Sequence, residues 1–245
     1  MTETNKLQIA VGVDGCRYDW IAVFKQLNCL DYKIFKDFAS LTNHFPQADF
    51  MLVDIPIGLP WSGARTRSCD VLARKKLGKR ASSVFPAPSR EACHASSLAE
   101  AKTANVAATG FSLSVQTWNI CKKIAEVDLF MRSSSVTKMH VREMHPEVCF
   151  WGLNDAQVMR HSRSTPGGIA ERLALLTRCE PSSSSLLERV MLENPRKHVK
   201  PDDVLDALVG FVTASRPADK LRKLQGEPTH DLLHIPMGIV YATGA

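Results

Sequence analysis

Residues 7–15 read LQIAVGVDG, and this stretch decides the fold. Ile9, Val11 and Val13 alternate with Ala10, Gly12 and Asp14, the period-two pattern of a β-strand. Both faces are apolar or small until Asp14, which suits a central strand covered by helices on both sides. Ala10 and Gly12 leave room for a helix to approach closely beneath Asp14, and Gly15 ends the strand. A carboxylate is expensive to bury alone, so Asp14 at such a strand end requires a cation, a donor or a metal. Taken by itself, Asp14 reads first as a turn aspartate capping the bend at Gly15.

The neighbouring segments extend this strand into a sheet. Trp20 to Gln26 and Tyr32 to Phe35 read as two further strands, with Asp31 marking the turn between them. Short loops joining three adjacent strands imply an antiparallel meander. Lys36 to His44 has Phe38 and Leu41 at helical spacing, and Pro46 ends that helix. Residues 48–60, ADFMLVDIPIGLP, predict a second buried strand with an aspartate, Asp54, near its C-terminal end. Pro56, Gly58 and Pro60 make a stiff exit. If the strands of Asp14 and Asp54 are parallel neighbours, both carboxylates lie at the sheet edge where α/β sites form.

A helical insertion follows, at about residues 61–135. Ser68 to Lys76 is predicted helical, Ala81 to Arg90 a loop, and Glu91 to Ala108 a single helix. Another helix starts at Ser112 or Ser114 and runs to about Arg132, with Trp118, Cys121, Ile124 and Ala125 as its packing stripe. Ser133 to Ser135 reads as a loop. Lys138 to His145 predicts a third buried strand, and Pro146 with Glu147 suits the first turn of the next helix. Glu143 and Glu147 thus both lie near a strand's C-terminal end, although Glu147 also reads as an acid that complements a helix dipole. His161 to Gly168 is predicted as a loop, Ile169 to Arg178 as a helix, and Pro181 to Ser185 as a polar linker. Residues 201–215, PDDVLDALVGFVTAS, carry a strong helix start. Asp203, Asp206, Ala207, Gly210 and Ala214 share one face, acidic at its beginning and small beyond. Asp202 reads as a first-turn cap. Asp206 lies past the capping turn, on the face expected to press against a sheet.

Composition limits the reading. The 245 residues, 44% of them hydrophobic, suit one large α/β domain with a sizeable core. No apolar run approaches the length of a membrane span, and the N-terminus lacks the pattern of a signal peptide. Seven scattered cysteines without a CxxC pair suit free thiols in a reducing cytoplasm. The net charge is +6, and eight Lys or Arg against the single acid Asp70 lie between Arg65 and Arg90. Such a block suggests a polyanionic partner, a nucleic acid or a phosphorylated small molecule, or else a solvated helix face.

Asp14 and Asp54 end strands, and Asp203 and Asp206 begin a close-packing helix. Carboxylates brought together repel unless cations sit between them. An all-oxygen ligand set suits Mg²⁺ or Mn²⁺, and two such ions activate a water and stabilise the leaving oxygen of a phosphodiester.

The order strand–strand–strand–helix–strand, with Asp14 on the first strand, Asp54 on the fourth and aspartates on a late helix, resembles the RNase H-like superfamily. DDVLDAL is similar to the terminal helix of Holliday-junction resolvases. More closely, GVDGCR (12–17), DIPIGLP (54–60), CDVLARKKLGKRASSVFPAPSR (69–90), EMHPE (143–147) and DDVLDALVGFVTA (202–214) resemble domain-of-unknown-function family 429, described as predicted nucleases of RNase H fold. Tyr18 and Asp19 depart from the small residues expected before Trp20. The resemblance implies one RNase H-like domain over residues 1–245, with a mixed central sheet, helices on both faces and the basic helical insertion. It implies a metal-dependent nuclease in which Asp14, Asp54, Glu143, Glu147 and Asp206 are catalytic, and Asp14, Asp54, Asp203 and Asp206 hold Mg²⁺ or Mn²⁺. Arg17, Arg74, Lys75, Lys79, Arg80 and Arg90 are the expected substrate-binding residues. Two alternatives remain: a phosphotransferase or nucleotide hydrolase of the actin-like superfamily, and a non-catalytic nucleic-acid or nucleotide binding module.

Overall fold

The close approach expected at Gly12 organises the whole molecule. A computed structural model of the chain describes residues 9–133, 141–227 and 229–244. Strand β1 (Ala10–Gly15) packs its Gly12 directly against helix α9 (Pro201–Ala214). A Cβ on Gly12 would lie 2.0 Å from the backbone N of Phe211 and 2.1 Å from the carbonyl O of Ala207. Gly210 completes the contact, with its own Cβ position 3.2 Å from Gly12 Cα. The small-residue face of α9 therefore presses on the sheet, as its sequence predicts, and carries Asp206 in with it.

Around β1 the described residues form a seven-stranded mixed sheet of order β3-β2-β1-β4-β5-β9-β6. Strands β2 (Trp20–Gln26) and β3 (Cys29–Phe35) make the antiparallel meander with β1. Strands β4 (Phe50–Val53) and β5 (Val141–Met144) run parallel to β1 on its other side. Strand β9 (Ile239–Ala242) extends the parallel part, and β6 (Leu221–Lys223) closes the far edge antiparallel, while β7 (Thr229–His230) and β8 (Pro236–Met237) form a separate antiparallel pair. Helix α9 covers one face with α6 (Pro146–Leu153), α7 (Pro166–Cys179) and α8 (Ser183–Glu193). The opposite face is covered by α1 (Phe38–His44) and by α3 (Arg90–Cys93), α4 (Leu98–Thr109) and α5 (Val115–Arg132). Helix α2 (Ser68–Leu77) packs with Val148, Met237 and Ile239 in a separate apolar cluster. Among the described residues, no helix is long and apolar enough to cross a membrane.

Several boundaries differ from the sequence reading. The β2–β3 turn falls at Leu27 and Asn28, both at positive φ, because the register pairs Gln26 with Cys29 across a two-residue hairpin. Asp31 lies inside β3 instead, and Arg189 donates to it at 2.6 Å. The helix expected over 91–108 is two helices, since Ser97 caps a new start by accepting from the Glu100 backbone N–H. Part of the expected linker at 181–185 already belongs to α8, which buries Leu186, Leu187 and Val190. The start of the strand expected from Lys138, part of the loop expected at 133–135, and Leu7 and Gln8 all lie outside the described residues.

Candidate active site

Strand register places the first two acids. Val13 of β1 pairs with Val53 of β4, and the Asp54 N–H donates to the Val13 carbonyl at 3.0 Å. Asp14 and Asp54 therefore leave adjacent parallel strands at the same sheet edge, both on the α9 face. Asp206, one turn before Gly210, descends onto that edge and is 2% exposed, with Asp14 at 8%. The Gly15 N–H orients Asp14 by donating to its Oδ1 at 2.7 Å.

The two glutamates separate by strand parity. Val141 faces the α5 side of the sheet and Met144 the α9 side, so Glu143 points away from Asp54. The structure does not bring Glu143 to the aspartates. Its carboxylate accepts from the Ile57 N–H at 2.8 Å and is paired with the buried Arg67. Cys69, Asp70 and Glu143 form an oxygen and sulfur group within 4.8 Å, but Arg67 Nη2 already contacts all three. Glu147, in the first turn of α6, does reach the aspartates. Its Oε1 is held by the buried Arg172, while its Oε2 is buried with no partner among the described residues.

Electrostatics reflects this crowding. Burial, then Asp54, Asp206 and Asp203, hold the Asp14 carboxyl well above the usual carboxylate range. Burial pushes Asp54 up to about 7, with Arg163 opposing the shift and Glu147 adding to it. Asp206 is likewise raised well above its ordinary value by burial, against the pull of Arg163. Asp203 is pushed up to about 6 by burial. Its Oδ2 accepts from the Lys200 N–H at 2.8 Å, so Asp203 caps α9, the role expected of Asp202.

Arg163 is the residue that sequence reasoning missed. It comes from the loop before α7, between Ser162 and Ser164, where no local pattern marks it. Its Nη1 donates to Asp206 Oδ2 at 2.7 Å, and its Nε lies 3.9 Å from Asp202. Two further residues of the site were also missed. Burial depresses His145 to about 4, so it is neutral at pH 7, and its Nε2 lies 3.3 Å from the Ser83 carbonyl. Lys123 of α5 is 9% exposed, donates to the Asp19 carbonyl at 2.6 Å and lies 4.5 Å above the Trp20 ring. A pocket of ≈ 380 Å³ opens above the acids, walled by Phe85, Gln116, Ile120, Lys123, His145 and Arg163. A larger cavity of ≈ 670 Å³ lies at the other end of β1, where its acid, Glu180, is already paired with Lys25 at 2.7 Å.

The expected substrate-binding cations are dispersed. Arg80 donates to the carbonyls of Met159 and Arg160 at 3.0 and 2.7 Å, and Arg90 is paired with Asp128 and Asp231 at 2.8 and 2.5 Å. Both are structural clamps. Arg74, Lys75 and Lys79 project from α2 and its 3₁₀ extension and do not line the acid pocket. Arg17 is exposed beside the site, immediately after β1.

No curated protein and no solved structure matches the chain. The model of the family described as protein of unknown function (DUF429) matches residues 12–230, a span that contains Asp14, Asp54, Glu147, Arg163 and Asp206, and the chain belongs to that family.

Proposed function

We propose that this protein is a metal-dependent phosphodiesterase of RNase H-like fold acting on nucleic acid. One observation carries the reading: Asp14, Asp54, Asp206 and Glu147 converge on one sheet edge with more negative charge than their surroundings offset. The sheet order supports the fold assignment, since the antiparallel meander is followed by parallel strands on the far side of β1. The donor set fits a hard divalent cation. It is all oxygen, and Glu147 Oε2 is buried with no partner among the described residues. The guanidinium of Arg163 occupies the position of a cation among these acids, and its side chain is 53% exposed, so it can withdraw without unpacking the core.

In this reading Asp14, Asp54, Asp206 and Glu147 would hold Mg²⁺ or Mn²⁺, which when bound would supply an activated water and charge compensation at the leaving oxygen. The chain's own groups do the positioning. Arg172 fixes the Glu147 carboxylate, and the Gly15 N–H fixes Asp14. Arg163, released from Asp206, faces the phosphate as a charge-assisted donor. Neutral His145 and the apolar Phe85 and Ile120 narrow the pocket and exclude water from it.

The test is Mn²⁺-dependent cleavage of bis(p-nitrophenyl) phosphate and of a fluorescent oligonucleotide by the wild type and Asp54→Asn. Cleavage that requires Mn²⁺ and is lost in the variant supports the reading. Mn²⁺ binding without turnover of any phosphodiester refutes it and favours a binding module. Hydrolysis of a nucleoside triphosphate in its place favours the actin-like alternative.

A further inference from the structure

A second cleft, of ≈ 540 Å³, adjoins the acid pocket and shares Gly15, Ile120 and Lys123 with it. Its lining includes five cations, Arg17, Lys123, Arg196, Lys197 and Lys200, against one acid, Asp203. They come from three separate parts of the chain: the β1–β2 loop, α5 and the segment before α9. Arg17, Arg196, Lys197 and Lys200 are exposed, and among the described residues none forms an ion pair. Tyr18 lines the same cleft and is 61% exposed. Its ring lies 5.1 Å from the Arg17 guanidinium and 5.9 Å from the His198 ring. A positive groove with an exposed aromatic ring is the arrangement that holds an unpaired nucleic-acid strand, with phosphates on the cations and a base on the ring.

We infer that this cleft binds single-stranded nucleic acid and leads it toward the acid pocket. That it leads to a reacting phosphate rests on the phosphodiesterase reading; that it binds a strand does not. The shape of the site favours a single strand over a duplex. Asp14, which lines a pocket of ≈ 380 Å³ together with Asp54 and Glu147, is almost fully buried. One nucleotide is of a size with that pocket, and a base can stack on the exposed Tyr18 only when it is unpaired. The basic block between Arg65 and Arg90 is not part of this path, because neither cleft is lined by any of its cations.

Fluorescence anisotropy in EDTA separates binding from turnover. The probes are labelled 15-nucleotide oligodeoxyuridylate, oligouridylate of the same length and a 15-base-pair duplex. Arg17→Ser/Lys197→Ser/Lys200→Ser should weaken binding of the single strands at least tenfold. It should also reduce the slope of log affinity against log salt by about 2, at ~0.7 per lost phosphate contact. Tyr18→Ala should weaken binding about tenfold and Tyr18→Phe should leave it unchanged, since stacking needs the ring and not the hydroxyl. Arg74→Ser/Lys75→Ser/Lys79→Ser should change affinity less than twofold. The two single strands together report the shared phosphodiester chemistry, and a stronger response to one identifies the sugar. Equal affinity for the duplex, or a loss no greater in the Arg17 set than in the Arg74 set, overturns the inference. The Mn²⁺ cleavage assay is read independently. A strand that binds through the cleft but is never cut sinks the phosphodiesterase reading alone. Mn²⁺-dependent cutting that is indifferent to the Arg17 set sinks the cleft alone.

Discussion

Replacing Asp54 by Asn removes one charge from a group of four acids while keeping the side chain's shape. An acid with a folded pKa of about 7 against an ordinary 3.8 is a cost to the metal-free fold when ionised. At about 1.4 kcal/mol per pH unit this amounts to ~4 kcal/mol above pH 7. Asp54 is partly exposed and water screens some of the repulsion, so about half, ~2 kcal/mol, is expected to survive. The folded state binds the proton more readily than the unfolded chain, so this cost is absent below pH 4 and grows as pH rises toward 7. Asp54→Asn should therefore melt above the wild type by roughly 4–8 °C at pH 8 without metal. The difference should shrink toward zero at pH 4. Mn²⁺ reverses the order. At a concentration a hundredfold above its dissociation constant it stabilises the wild type by about 2.7 kcal/mol, and the variant by much less. The assay is thermal melting of both proteins at pH 8, 6 and 4.5, with and without Mn²⁺. A variant less stable than the wild type at pH 8 without metal would refute the argument, as would equal Mn²⁺-induced shifts in the two proteins.

Four further outcomes are expected. Gly12→Ala should cost at least about 3 kcal/mol in urea denaturation, because the new methyl meets backbone atoms of α9 that cannot move aside; a loss under 1 kcal/mol would mean that α9 is not seated there. Arg67→Met should cost about 3–5 kcal/mol by leaving Glu143 and Asp70 buried without their cation, and should leave the Mn²⁺-induced shift unchanged if Glu143 is outside the metal site. His145→Gln should flatten the acid side of the stability profile: neutral His145 at about 4 makes the unfolded chain the better proton acceptor, so stability is lost as pH falls from 6.5 to 4, and an unchanged slope in that window contradicts its burial. Arg163→Met should lower the metal-free melting temperature at pH 8 and enlarge the Mn²⁺-induced rise, and the reverse pattern would show that Arg163 is not the cation that offsets the acids.

The parts of the site that were legible in the sequence are those encoded by local periodicity. Alternation along residues 9–15 placed Asp14 on a buried strand, and Gly12 signalled a close helix contact before any partner was known. Ala207 and Gly210 on one face of α9 supplied that partner, and Asp206 followed from the same helical spacing. The meander and the parallel pairing of β1 with β4 were legible for the same reason, since short loops and buried strands leave few arrangements. Parity was the harder signal. The strand reading grouped Glu143 with Glu147, yet one residue's difference along β5 sends Glu143 to the opposite face, where Arg67 takes it. The alternation of Val141 and Met144 held that information, but the start of the strand had to be known to use it. Turn and helix boundaries failed where a residue type has two uses. Asp31 is a common turn residue but serves here as the partner of Arg189, and Ser183 is polar but opens a helix.

The cations of the site show why charge along a chain is a poor guide to charge in space. The eight basic residues between Arg65 and Arg90 stand out in the sequence, yet Arg67, Arg80 and Arg90 are used internally, each against acids or carbonyls from distant segments. Arg67 closes a buried acidic group, Arg80 clamps the carbonyls of Met159 and Arg160, and Arg90 ties α3 to Asp128 of α5 and to Asp231. None of the block's cations lines the acid pocket. The positive surface that does adjoin them is built from Arg17, Lys123, Arg196, Lys197 and Lys200, none of which belongs to a charged run of more than two. They meet because β1 and α9 are locked together at Gly12 and Gly210, which brings the residues just after the strand beside those just before the helix. The same contact sets Asp14 against Asp206. One glycine packing thus positions both the acids and the cations beside them, so Gly12→Ala should disturb strand binding and Mn²⁺ binding together, whereas each surface variant disturbs only one.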